Sequence, residues 1–199
     1  MKDYYLSEIT EETRKELVEL IKWYNRVVGR EPLIVGGWAA WAYHKGIGSK
    51  DIDLVFPGAA SMQQTLFDYF KSHGYQERKV DFFDYEFYKH RKTKNGEIDI
   101  LVDAVSLNRS AQVTGTNITI PWKLAEKHKQ KYSFGKDADA YIITPEMLTV
   151  YKMGALIGRD SKLAIATGRS EIHYRAKLWK DVQDIIGVFE STPIDKNTL

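Results

Sequence analysis

One strand of this chain must carry two negative charges on the same face. In Lys50-Asp51-Ile52-Asp53-Leu54-Val55-Phe56, acidic and apolar residues alternate before the run becomes wholly apolar. Side chains on a strand point to opposite faces in turn, so Asp51 and Asp53 project together, roughly 6–7 Å apart at about 3.3 Å per residue, while Ile52 and Leu54 turn into a core. Such a strand needs one packed face and one polar face. Carboxylates at that spacing repel each other, so a positive group has to meet them. Residues 38–50 separate this strand from Gly36-Gly37, which ends the short apolar run Leu33-Ile34-Val35.

Composition limits the class. With 199 residues and 43% hydrophobic content, the chain can fill one core, or a core with a helical appendage. Lys and Arg number 29 against 27 acids, a net charge of +2, which excludes a general polyanion-binding surface and confines any nucleotide or nucleic-acid contact to a local site. The absence of cysteine excludes disulfides, thiolate zinc sites and a cysteine nucleophile. Met1-Lys2-Asp3-Tyr4-Tyr5-Leu6-Ser7 lacks the apolar segment of a signal peptide, and no stretch approaches the ~18 apolar residues of a membrane span, so a cytoplasmic protein without a membrane partner is expected. No repeat or Pro/Gly linker divides the chain. The expectation is one domain over 1–199, with a core at about 30–121 and a helical C-terminal part at about 144–190.

Periodicity places Glu11 to Val28 in an amphipathic helix, with Leu17, Leu20, Ile21 and Tyr24 on one face and Gly29 as its stop. Residues 32–35 read as a buried strand that breaks at the glycine pair into a helix from Trp38 to about Lys45, in which Trp38, Trp41 and Tyr43 serve as core. After the aspartate strand, Pro57-Gly58 turns the chain into a helix from about Ala60 to Ser72. Two alternating runs, Tyr85 to Arg91 and Glu97 to Val105, flank Lys94-Asn95-Gly96 and predict a hairpin. A strand around Asn117 to Ile120 and a short helix from Pro121 follow, and the last sixty residues read as mainly helical. Strands first and helices last favour an α+β class.

The second hairpin arm offers a third acid. In Glu97-Ile98-Asp99-Ile100-Leu101-Val102-Asp103, the residues Ile98, Ile100 and Val102 alternate inward and leave Glu97, Asp99 and Asp103 on the other face. Asp99 shares with Asp53 an apolar neighbour on each side. Three carboxylates at one sheet edge would suit Mg²⁺, a hard cation that takes oxygen ligands, in a two-metal site with ions about 3.5–4 Å apart. Further on, Thr144-Pro145 is a helix start, with Thr144 as N-cap and Ile143 and Leu148 as a hydrophobic staple. The helix it opens is apolar on nearly every face through Ile157, apart from Lys152, and a buried ammonium needs an anion. The last helix, about Glu171 to Glu190, is expected to pack through Leu178, Trp179, Val182, Ile185, Ile186 and Phe189, with Asp181 bordering that face. Asp181 either pairs with Lys152 or joins it in a site. Arg159, Lys162 and Arg169 read as a solvated loop over 158–170, and the five scattered histidines form no i, i+4 metal pair.

Taken together, Leu33-Ile34-Val35-Gly36-Gly37-Trp38, Ser49-Lys50-Asp51-Ile52-Asp53-Leu54 and Ile98-Asp99-Ile100 resemble the DNA polymerase beta-type nucleotidyltransferase superfamily. The resemblance extends to abortive-infection toxin-like members through Pro145-Glu146-Met147-Leu148, Lys152 and Lys180-Asp181-Val182-Gln183-Asp184, and to lincosamide and aminoglycoside nucleotidyltransferases through Gly-Gly-Trp. It covers roughly residues 32–190. The resemblance implies an α+β nucleotidyltransferase fold and Mg²⁺-dependent transfer of a nucleoside monophosphate from NTP to a hydroxyl of an RNA end, a protein or a small molecule. Asp51, Asp53 and Asp99 would hold two metals and carry catalysis, and Gly36, Gly37, Lys152 and Asp181 would bind the nucleotide. An antitoxin or other regulatory partner is left open, as is the alternative of a non-catalytic nucleotide-binding protein of the same fold. Two positions depart from the pattern: Gly37 stands where Ser is frequent, and Ile47 where Arg is frequent, which leaves the NTP preference open.

Overall fold

The computed structural model describes residues 7–79, 85–94 and 96–195; the expected absence of a leader at 1–6 and Asn95 of the expected turn lie outside them. In chain order the elements are α1 (Ser7–Val28), β1 (Leu33–Val35), α2 (Gly36–His44), β2 (Asp51–Phe56), α3 (Ala60–Ser72), β3 (Gln76–Lys79), β4 (Tyr85–Thr93) and β5 (Gly96–Ser106). There follow β6 (Ser110–Gln112), β7 (Thr119–Pro121), α4 (Trp122–Lys127), β8 (Lys129–Ser133), β9 (Asp139–Ile143), α5 (Pro145–Leu163) and α6 (Arg169–Ser191). Seven strands form a mixed sheet in the order β3-β4-β5-β2-β1-β9-β8, and β6 and β7 pair separately. The class is α+β, as expected. No helix among the described residues is long and apolar enough to cross a membrane.

The alternation in β2 does what its pattern dictates. Ile52 and Leu54 are fully buried and share a core with Leu17, Leu20, Ile21 and Tyr24 of α1 and Leu66 and Phe70 of α3. Each such side chain contributes about 1.5–3 kcal/mol by leaving water. With one face of the strand fixed in this way, Asp51 and Asp53 are held on the other. β1 runs antiparallel to β2 with Val35 opposite Asp53, while β5 runs parallel to β2 with Asp53 opposite Asp103. The first register brings the glycine pair to the aspartates; the second decides which acid of β5 joins them.

Four expectations are corrected. The hairpin of β8 and β9 was not foreseen. β9 nevertheless lies inside the sheet, parallel to β1, while β8 is a polar edge strand whose Lys129, Gln130 and Lys131 give no alternating apolar signal. Thr144 occupies the N-cap of α5 in extended backbone, but its hydroxyl makes no capping bond. α5 runs on to Leu163, so Arg159 and Lys162 are helical rather than part of a loop, and Met153 and Ile157 are exposed although an all-round apolar helix should be buried. Last, α6 is turned over relative to the expectation. Ala176, Lys180, Asp181, Asp184 and Val188 are buried while Val182, Ile186 and Phe189 face out. Ionic pairing with α5 overrides the apolar stripe, because the charges are buried only where each meets an opposite one.

Candidate active site

A cavity of about 270 Å³ opens between the face of β2 and β5 and the pair α5 and α6. Its floor is the join of β1 and α2. Gly36 has φ +62°, a conformation that favours glycine, and a Cβ there would overlap Asp53 Oδ2, so both torsion and space demand glycine. Gly37 has no such strain, but a Cβ on it would come 2.5 Å from Ser49 Oγ. Ser49 thus fills the place a side chain at 37 would take, which gives a physical reason for glycine at that position. α2 begins at these glycines with no acid in its first turn and no side-chain cap, so its first amides and its positive dipole end are free to meet an anion.

The sheet wall carries Asp51, Asp53 and Asp103, which line the cavity together. Burial would raise Asp51, but the ammonium of Lys177, bonded to its Oδ2, outweighs that and holds it below the usual carboxylate range. Asp53 is raised, by burial first and by the charge of Asp51 next. Asp103 is exposed toward the open cleft, yet it is raised by the protein packed around it first and then by the charges of Asp53 and Asp51. The donors are oxygen atoms of negative groups that crowd each other, the chemistry a hard divalent cation accepts. In the present arrangement, among the described residues, no three His, Cys, Asp or Glu side chains are gathered closely enough to hold a metal ion.

The helical wall carries Lys152, Arg159, Lys177, Lys180 and Asp181. Lys152 Nζ donates to Asp181 at 2.7 Å and to Asp184 at 2.6 Å, and Lys180 Nζ donates to Asp184 at 2.6 Å. Arg159 pairs with the second oxygen of Asp181, and His44 Nε2 stands 3.4 Å from Asp184. Burial would raise Asp184, but Lys152 foremost, with His44 and Lys180, holds it far below the ordinary range. Lys180 is lowered to about 8 by burial, with the charge of Lys152 adding to it. Beyond the ions, Val113, Ile120, Trp122 and Tyr151 give the cavity an apolar flank, beside Gln112, and the rings of Trp122 and Tyr151 stack 4.7 Å apart.

Comparison with known proteins identifies the architecture. No protein-family model and no curated protein matches the sequence. The lincomycin-bound crystal structure of the lincosamide antibiotic adenylyltransferase LnuA aligns with 89% of this chain and 97% of its own, at 17% identity and a TM-score of 0.53. The chain has a nucleotidyltransferase fold. The solution structure of the antibiotic-resistance factor ANT(2'')-Ia aligns with 88% of this chain and 90% of its own, at 14% identity and a TM-score of 0.44.

Within this nucleotidyltransferase fold, Asp51, Asp53, Gly36, Gly37, Lys152 and Asp181 are brought to one cavity. Asp99 is not. It lies opposite His90 on β4, bonded to it at 2.5 Å, exposed, and away from β2, whose first residue pairs with Leu101. The parallel register selects Asp103, four residues further along and on the same face, as the acid beside Asp53. Asp181 has its carboxylate engaged by Lys152 and Arg159. Sequence reading missed Lys177 outright. Ser49 stood in the aspartate motif without a role, and Lys180 and Asp184 in the later one, where the signal for them was the i, i+4 spacing of opposite charges.

Proposed function

We propose that this single domain is a Mg²⁺-dependent nucleotidyltransferase that moves a nucleoside monophosphate from an NTP to a hydroxyl and releases pyrophosphate. One observation carries the reading: an uncapped helix start at Gly36-Gly37, three carboxylates and the cations of α5 and α6 all face one cavity. Amides of α2 receive phosphate oxygens, while Lys152, Arg159 and Lys180 oppose the triphosphate charge from the far wall. Asp181 and Asp184 orient those cations and do not touch phosphate themselves. Asp51, Asp53 and Asp103 would hold Mg²⁺, which when bound neutralises charge developing at the α-phosphate and acidifies the attacking hydroxyl. Asp103, at the end of the acid row, accepts the proton of the acceptor. The acceptor oxygen bonds to the α-phosphorus as the α–β bridging P–O bond breaks, and pyrophosphate leaves with that electron pair.

Val113, Ile120, Trp122 and Tyr151 are left to the organic parts of the substrates. Their apolar and aromatic lining suits a small-molecule hydroxyl as acceptor. LnuA, similar in fold, is a lincosamide antibiotic adenylyltransferase. The test is incubation with each NTP labelled at the α-phosphate, Mg²⁺ and cell extract, followed by separation of small molecules, RNA and protein. Label in the small-molecule fraction is expected, and label confined to RNA or protein moves the acceptor to that class. Intact nucleotide binding without label in any fraction would make the protein a non-catalytic binder.

A further inference from the structure

Lys177 is absorbed by none of the roles above, yet it bonds one of the three acids. From α6 it crosses the cavity to Asp51 Oδ2, and both side chains are largely buried. Lys152 and Lys180 are held by carboxylates of their own wall; Lys177 instead bonds a carboxylate of the opposite one. A monovalent ammonium offsets one charge of the three and draws Asp51 toward itself, and Asp51, Asp53 and Asp103 are not gathered around one point. Gly36, Gly37 and Lys180 line the same cavity, so the flexible four-carbon stem of Lys177 shares one space with Asp51 and with the start of α2.

We propose that Lys177 is a displaceable counter-ion that occupies Asp51 in the nucleotide-free protein, hinders divalent metal there, and transfers to the nucleotide's phosphate when metal and nucleotide enter together. This rests on the metal and nucleotide reading above. Lys177 is thereby a positioning residue as well as a phosphate ligand. A permanent structural ion pair would have neither property.

The test is direct metal binding, with Mn²⁺ in place of Mg²⁺ and free Mn²⁺ read by electron paramagnetic resonance. Without nucleotide, Lys177→Met is expected to bind Mn²⁺ at least 10-fold tighter than the unsubstituted protein. Lys177→Arg should stay within 3-fold of it, as should Lys50→Met, a matched loss of charge beside Asp51. Affinity of Lys177→Met for the α,β-methylene analogue of ATP, GTP, CTP or UTP should fall at least 10-fold. An unchanged or weaker Mn²⁺ affinity in Lys177→Met, or a gain no larger than that of Lys50→Met, overturns the proposal. Lys177→Gln replaces the methionine variant if that does not fold, and failure of both to fold marks a structural pair and overturns it as well. The unsubstituted protein with each analogue, beside Asp53→Asn, separates the two ideas. Mn²⁺ bound with nucleotide and lost in Asp53→Asn preserves the site even if Lys177 fails, whereas no Mn²⁺ with any analogue sinks both.

Discussion

The wall of the cleft formed by β2 and β5 sets like charges side by side on strands locked by backbone hydrogen bonds, whereas the wall formed by α5 and α6 threads Lys152, Arg159 and Lys180 through Asp181 and Asp184. On the first wall, repulsion is held in place by a rigid ladder, and relief has to come from outside. On the second, the charges position one another, and four cations against two carboxylates leave a positive surplus aimed at the acids. A cleft with one wall relieved only in part, by Lys177 at Asp51, and one self-organised wall suits a ligand that arrives as a cation and polyphosphate together. The two walls should therefore fail differently when altered.

Asp53→Asn strikes the sheet wall where acid meets glycine, and should cut pyrophosphate release by roughly 10³-fold or more while leaving thermal unfolding unchanged or raised, since a repulsion is removed. A loss of both activity and fold would erase the distinction between the walls. Asp103→Asn should cost about 10²–10³-fold in the same assay, again with the fold intact. Asp184→Asn strikes the helical wall and should act on stability, by about 3–5 kcal/mol in denaturant unfolding, because Lys152 and Lys180 lose a buried partner. The sign with pH follows. Asp184 is depressed in the fold, so its contribution is complete above its unfolded value near about 4 and lost as pH falls further, and Asp184→Asn should lack that acid-side loss. On the sheet wall, Asp53 and Asp103 are raised, so metal must displace protons there. Mn²⁺ affinity should decline as pH is lowered, by up to about tenfold per unit for each proton displaced. Asp99→Asn should leave activity within about 2-fold, the scale of a surface change; a loss comparable to that of Asp103→Asn would restore Asp99 to the site.

The sheet wall was more legible in the sequence because a strand with a period of two and an apolar partner face has only one way to point its acids. What the alternation of β5 could not supply was the register against β2, since Asp99 and Asp103 share a face and pairing is a tertiary fact. The helical wall was read in the wrong orientation. Val182, Ile186 and Phe189 look like a buried stripe, and only the positions of Lys152 and Arg159 on α5 reveal that the charged face of α6 turns inward. Lys177 could not be found from spacing at all. Its partner, Asp51, is on a different element far away in the chain.

The joint between α6 and α2 has a mechanical consequence. At Gly187 a Cβ would lie 2.7 Å from Cγ and 2.9 Å from Nδ1 of His44, so the imidazole of α2 sits in a notch that only a missing side chain provides. The same ring reaches Asp184 with its other nitrogen. A slide of α6 by one residue would drive a bulkier side chain into the ring. The notch therefore fixes the register of α6 along α2, and with it the place of Lys180, whose Nζ would stand 3.3 Å from a Cβ at Gly37.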